Sequence, residues 1–349
     1  MKIVAPVSRP EDVAPLAEAG ADEFYCGIVP RDWTERFRSS GVNRRIFGNL
    51  STYEELAAVA DQAHARGCTV SLVLNAQHYA EEHMAALLEL SERFAGLGGD
   101  ALIVGDVGLL ALLADEGPRL RLHASSLLSC RNSEAASLYA ALGVRRVVFP
   151  RDVTLAEMAD VIAANPGIEF EAFVLNDGCV FEEGTCHTIH LPGRLGGPIC
   201  LDRYASAYAR SDDRALSEDE AAALAANDAR YEEWLWYRFS CGFSTTESGH
   251  PFGPCGLCAM PAMAEAGMTA VKIAGREGPL PRKLKSVEMV RSVRDAMADG
   301  DAVEFARGIR NRPDLCDSGY MCYYREVLSP GTVALPADRP DCPTTVRSI

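Results

Sequence analysis

The sequence lacks any apolar run of the ~18 residues that a membrane-spanning helix requires, so no membrane insertion is expected. Its opening, Met1-Lys2-Ile3-Val4-Ala5-Pro6, is too short and too soon broken for a secretory signal, which favours a cytoplasmic location. Positive charge is scarce: 34 Lys and Arg face 49 Asp and Glu, a formal charge of −15. Such an acidic balance repels phosphate backbones at long range unless a local basic pocket overrides it. Nucleic acid is therefore disfavoured as a partner, and a small molecule or another protein is favoured. Also missing are G-x-G-x-x-G after the first strand, which would mark a dinucleotide fold, and the H-E-x-x-H and G-x-S-x-G of common hydrolases.

What is present is enough for a core, with 48% apolar and 24% charged residues over 349 positions. At ~150 residues per domain the length suggests about two domains, although an α/β barrel can take ~250 residues as one. Short apolar runs alternate with helical patterns along the chain. Strands are predicted at Ile3–Ala5, Glu23–Gly27, Thr69–Leu74, Ala101–Val104, Leu120–Ala124, Arg146–Pro150, Glu169–Leu175 and Ala270–Gly275. Helices are predicted over 11–19, 53–66, 80–95, 108–114, 133–142, 155–164 with Thr154 as N-cap, and 286–298. The strands are too apolar to have a wet face, which points to a parallel sheet covered by helices. The fold expected is a (β/α)8 TIM-like barrel over 1–300, with 301–349 packing on it as a C-terminal extension.

Between the seventh and eighth strands lies a long stretch, Asn176 to Gly267, far beyond an ordinary βα loop. It holds six of the twelve cysteines and three of the seven histidines, and its acidic segment Ser211–Glu233 reads as an exposed helix. An insertion there leaves from the barrel face on which active sites are built. Cys179 and Cys186 form its leading pair, with Gly184 between them where a positive φ would let the backbone wrap a cluster, and Cys200 and Cys241 follow. Cys255-Gly-Leu-Cys258 has the spacing of a zinc hairpin. Spacing alone leaves a metal centre, redox thiols and buried apolar cysteines all open. The cysteines elsewhere, Cys26, Cys68, Cys130, Cys316, Cys322 and Cys342, read mostly as packing residues.

Several motifs carry a resemblance. Glu171-Ala-Phe173 followed after five residues by Cys179, Gly184 and Cys186 matches E-x-F-x5-C-x4-G-x-C; Glu18-Ala-Gly20-Ala-Asp22 and Lys272-Ile-Ala-Gly275-Arg276 match two further signatures. On these the chain resembles the collagenase-like peptidases of family U32, and within them the UbiU-type iron-sulfur proteins of oxygen-independent hydroxylation. The resemblance implies a 4Fe-4S cluster on Cys179, Cys186, Cys200 and Cys241, prephenate as oxygen donor, and a second cluster protein as a partner. The family's small residues before the first cysteine are here Asn176-Asp177-Gly178, and the usual Glu of K-I-E-G-R is Ala274, so a different substrate pocket is expected.

A carboxylate donor needs fixed cations. Lys272 and Arg276 after the eighth strand and Arg151 after the sixth are the candidates, with His123 at the end of the fifth as acid or base. Lys272 has the competing role of pairing a barrel carboxylate, Arg276 of lying on the surface, and His123 of a satisfied core residue. His187 and His190 after Cys186 are ligands, bases, or loop histidines. Trp234-Leu-Trp236-Tyr237 either packs over the cluster or anchors an interface. The expected function is oxygen-independent hydroxylation of a small organic or aromatic substrate. A peptidase, a non-catalytic cluster subunit and a tRNA or rRNA base hydroxylase are the alternatives; the Pro-rich tail from Pro336 lacks the aromatic and basic interleaving that single strands stack on.

Overall fold

In the computed structural model eight parallel strands close into a barrel in sequence order. They are β1 (Lys2–Pro6), β2 (Glu23–Cys26), β3 (Thr69–Leu74), β4 (Ala101–Val104), β5 (Arg121–Ala124), β6 (Val144–Val148), β7 (Glu169–Leu175) and β8 (Ala270–Ile273). β8 returns to β1 in the register Lys2↔Ala270 to Val4↔Lys272. The structure describes residues 1–38, 41–45, 47–76, 78–179, 182–186, 206–236, 245, 249–310 and 313–328.

Helices cover the outside with their apolar stripes inward. In Tyr53–His64, Leu56, Val59, Ala60 and Ala63 are buried, and Thr52 with Glu55 closes the first turn as a capping box. Thr154 caps Leu155–Ala164 in the same way, as its sequence predicts. Several helices depart from expectation: Met260–Glu265, Ala302–Arg310 and Pro313–Ser318 are not predicted, and two further departures have a local cause. Arg31–Phe37 forms where a loop is predicted, because Trp33 alone carries its burial and the periodic signal is correspondingly faint. The helix Leu280–Ala296 starts ahead of the predicted Ser286, since Pro281 in its first turn has a φ already suited to a helix.

Alternate strand residues face the barrel axis. The lower layer is ionic: Arg146 of β6, 1% exposed, pairs with Glu23 of β2 at 2.5 Å, Glu169 at 2.7 Å and Glu171 at 3.0 Å, the last two both on β7. Lys2 reaches Glu23 at 2.7 Å and Lys272 reaches Glu171 at 2.6 Å. A guanidinium this deep must be matched by carboxylates, and two strands supply them. One step toward the strands' C-terminal ends, Tyr25, Val73, Ile103, Val148 and Phe173 form the floor of an open cavity.

Residues 176–269 connect β7 to β8. The helix Glu218–Trp236 within them has no buried residue. The connection then returns to β7: Asn176 N donates to Pro254 O, Gly256 N donates to Val174 O, and Leu175 bridges Cys255. The segment Tyr320–Tyr324 packs against that return, with Cys255 N donating to Met321 O and Tyr324 Oη donating to Phe173 O.

Candidate functional site at the barrel mouth

A cavity of about 680 Å³ opens at the C-terminal ends of the strands. Five cationic side chains line it, Arg44, Arg45, Arg151, Lys272 and Arg276, against two carboxylates, Asp177 and Glu183. In a chain of formal charge −15 this is a local reversal of sign. Focused between low-dielectric walls, it attracts anions.

Three predicted cations are brought together here. Arg276 is buried, not superficial, and donates to the side-chain oxygens of Asn43 at 2.8 Å and Asn49 at 3.1 Å. Among the described residues no carboxylate lies within salt-bridge distance of it, and burial lowers its pKa from the ordinary arginine value. Neutral partners leave its charge available to a ligand. Lys272 is held by Glu171 and lies 4.1 Å from the centre of the Tyr25 ring. Burial lowers its pKa, and Glu171 opposes that shift. Arg151 pairs with Glu183 and stacks 3.6 Å from the Phe173 ring centroid.

His123 stands apart from this group. It faces the ionic layer, outside the cavity lining, and neither ring nitrogen has a hydrogen-bond partner among the described residues. Burial first, then the neighbouring Arg146, holds its pKa well below the ordinary value, so it is neutral. It is not the hydrogen-bonded core histidine offered as the plainer reading.

Sequence reasoning missed Arg44, Arg45, Asp177 and Glu183, which reach the mouth from loops. Arg44 donates to the backbone oxygen of Glu183, and Arg45 pairs with Asp177 at 3.2 Å. Burial lowers the pKa of Arg44, opposed by Cys179 and Cys186 beside it. Asn176 and Asp177 take positive φ, 67° and 45°, directly after β7. Asn and Asp tolerate that conformation better than most residues, and such strain clusters at functional sites. Asn176 is fixed by Ser286 at 3.0 Å and Arg282 at 3.1 Å.

Cys179 and Cys186 are half-buried thiols on this rim. Gly184 between them does not take the expected positive φ. Its role is close approach: a Cβ would meet Ser129 Oγ at 2.0 Å and Leu127 O at 2.5 Å. Cys200, Cys241, His187, His190 and Tyr237 lie outside the described residues. Trp234 and Trp236 pack on Phe252, Tyr320 and Met321. Cys26, Cys68 and Cys130 are buried as expected, whereas Cys316 and Cys322, read as packing residues, share a cavity with Cys255 and Cys258.

A (β/α)8 barrel with a cationic mouth and a paired-cysteine signature defines the class, and the comparisons fit it. The model of Peptidase family U32 matches residues 8–329, and the chain belongs to that family. The chain is similar to tRNA hydroxylation protein P of Escherichia coli K12, 28% identical over 168 residues, 48% of this chain and 34% of the relative. It is also similar to 23S rRNA 5-hydroxycytidine C2501 synthase of the same organism, 28% identical over 188 residues, 53% of this chain and 26% of the relative. The chain thus spans about a third or less of the length of these two relatives. The solved U32 peptidase Mk0906 matches 53% of this chain and 75% of its own at 17% identity, with a TM-score of 0.40.

These relatives correct the expectation that nucleic acid is disfavoured, since their names state hydroxylation of tRNA and rRNA. The physical reason is that net charge is a sum over the whole surface, while a ligand meets the local field. The membrane expectation has a structural counterpart: no helix among the described residues is long and apolar enough to cross a bilayer.

Proposed function

We propose that this chain hydroxylates a base in RNA at the barrel mouth, without molecular oxygen. The observation that carries the reading is the cationic cavity, joined to Cys179 and Cys186 on its rim, in a chain whose relatives are named for tRNA and rRNA hydroxylation. The cavity opens to solvent at the strand ends, so a flipped base can approach its lining from outside the barrel.

A 4Fe-4S cluster suits this rim on donor chemistry, since two thiols stand beside the guanidiniums of Arg44 and Arg45, which balance the negative charge of a thiolate-bound cluster. Cys179, Cys186, Cys200 and Cys241 would hold it. When bound, it supplies a redox or Lewis-acid centre. The protein's own groups do the rest. Arg276 holds the carboxylate of an oxygen donor of the prephenate type, its fork kept open by Asn43 and Asn49. Tyr25, Phe173 and Ile103 give the base an apolar floor and exclude water. Arg151 and Lys272, already paired with Glu183 and Glu171, keep the wall rigid.

The test is anaerobic purification followed by iron and acid-labile sulfide analysis, then incubation with RNA and prephenate. About four irons per chain are expected, lost in Cys179→Ser and Cys186→Ser. Mass spectrometry of the digested RNA should find a nucleoside with one added oxygen atom. Stoichiometric zinc without sulfide at these cysteines, or no oxidised nucleoside from the iron-loaded protein, overturns the reading.

A further inference from the structure

Behind the C-terminal end of β7 a second cavity, about 410 Å³, shares no lining residue with the first. Four cysteines line it: Cys255, Cys258, Cys316 and Cys322. All four are thiols in the structure. They come from separate stretches that the fold draws together. Cys255 and Cys322 bridge each other in parallel, with Cys255 N donating to Met321 O at 2.7 Å and Tyr323 N donating to Cys255 O at 2.9 Å. Cys316 arrives on the short helix Pro313–Ser318.

The charges around the quartet point to an anionic centre. Arg307 and Arg310 line the same cavity, which holds no Asp or Glu. Arg310 is 3% exposed; its Nη2 donates to Phe252 O at 2.9 Å and Gly253 O at 2.8 Å, and its Nη1 has no hydrogen-bond partner among the described residues. A buried guanidinium with one arm unmatched is costly unless an anion faces it. The groups there able to become anionic are the thiols, and a bare buried thiol stays neutral. Metal coordination deprotonates it outright.

We propose that Cys255, Cys258, Cys316 and Cys322 form a structural zinc site that pins residues 302–328 to the barrel. The C-x-x-C pair supplies the usual hairpin of a closed tetrahedral site, and four thiolates on one divalent ion leave two negative charges for two arginines. Among the described residues no three such side chains stand as a metal-binding group, and the proposal therefore requires the cysteine side chains to turn toward the ion when it binds. The site is independent of the mouth chemistry, because its ligands are separate from Cys179 and Cys186.

The test is metal analysis of the full chain, with each cysteine set varied separately. About one zinc per chain is expected, reduced at least tenfold in Cys316→Ser and Cys322→Ser and retained in Cys179→Ser, while iron follows the opposite pattern. Cobalt exchanged for zinc in the unaltered protein should give the intense visible bands of a tetrahedral tetrathiolate, a readout that survives if a variant fails to fold. Absence of zinc, a cobalt spectrum without thiolate character, or iron and sulfide that follow Cys316 would overturn the proposal. Loss of hydroxylation with zinc intact would count against the function proposed for the mouth and leave this site standing.

Discussion

Arg276 occupies space that Gly27, just past β2, leaves open. A Cβ on Gly27 would meet Arg276 Nη1 at 1.8 Å and Asn49 Oδ1 at 2.3 Å. Gly27→Ala should therefore push out the guanidinium while sparing the fold, because the displaced atoms end a flexible side chain. Binding of a carboxylate donor is expected to weaken about tenfold in Gly27→Ala and in Arg276→Ala, on the order of 1.4 kcal/mol each, with iron content unchanged. Titration calorimetry with prephenate measures it, and unaltered affinity in both variants would make Arg276 a purely structural residue. Arg151, Lys272 and Arg276 were legible in the sequence because each follows or ends a strand, where barrel chemistry gathers. Arg44 and Arg45 were not, since Val42-Asn43-Arg44-Arg45 has no periodicity and acquires its place through partners distant in sequence, among them Asn75, Asp177 and Glu183.

The strands themselves carry a pH dependence. Burial alone would raise the pKa of Glu23 on β2, but hydrogen bonds and charge from Arg146 and then Lys2 outweigh it and hold the carboxyl down at about 2. A group depressed in the folded state contributes its full stability above its unfolded value of 4.5 and loses it as pH falls toward about 2. On the order of 3 kcal/mol should disappear across that window. Urea unfolding at pH 6 and pH 3 should show a smaller difference for Glu23→Gln than for the unaltered chain; an equal difference would mean that other acids carry the transition. At this scale the sequence was a good guide: β3, β4 and β7 fall where their apolar runs predict, since a strand buried on both faces advertises itself. The charges on β2, β6 and β7, Glu23, Arg146 and Glu171, gave no local hint of pairing, because their partners are neighbours only after closure.

Across the whole molecule, the proposed RNA substrate would meet two competing fields. The acidic surface repels it and the mouth attracts it, so binding should depend on salt far less steeply than five cations would imply. Arg45, Arg151 and Lys272 are already matched by Asp177, Glu183 and Glu171. Arg44 and Arg276 have no carboxylate within salt-bridge distance among the described residues, and with no donor bound to Arg276 about two phosphate contacts remain to release counterions. For a single strand each contact contributes about 0.7 to the slope of log affinity against log salt, which predicts a slope near −1.4 in place of about −3.5. Raising salt also screens the acidic surface, which flattens the curve further. Fluorescence anisotropy of a labelled oligonucleotide over a salt series checks this. A slope steeper than about −3 would move the contact away from the mouth to some other basic surface, and with it the base that the cavity is proposed to receive.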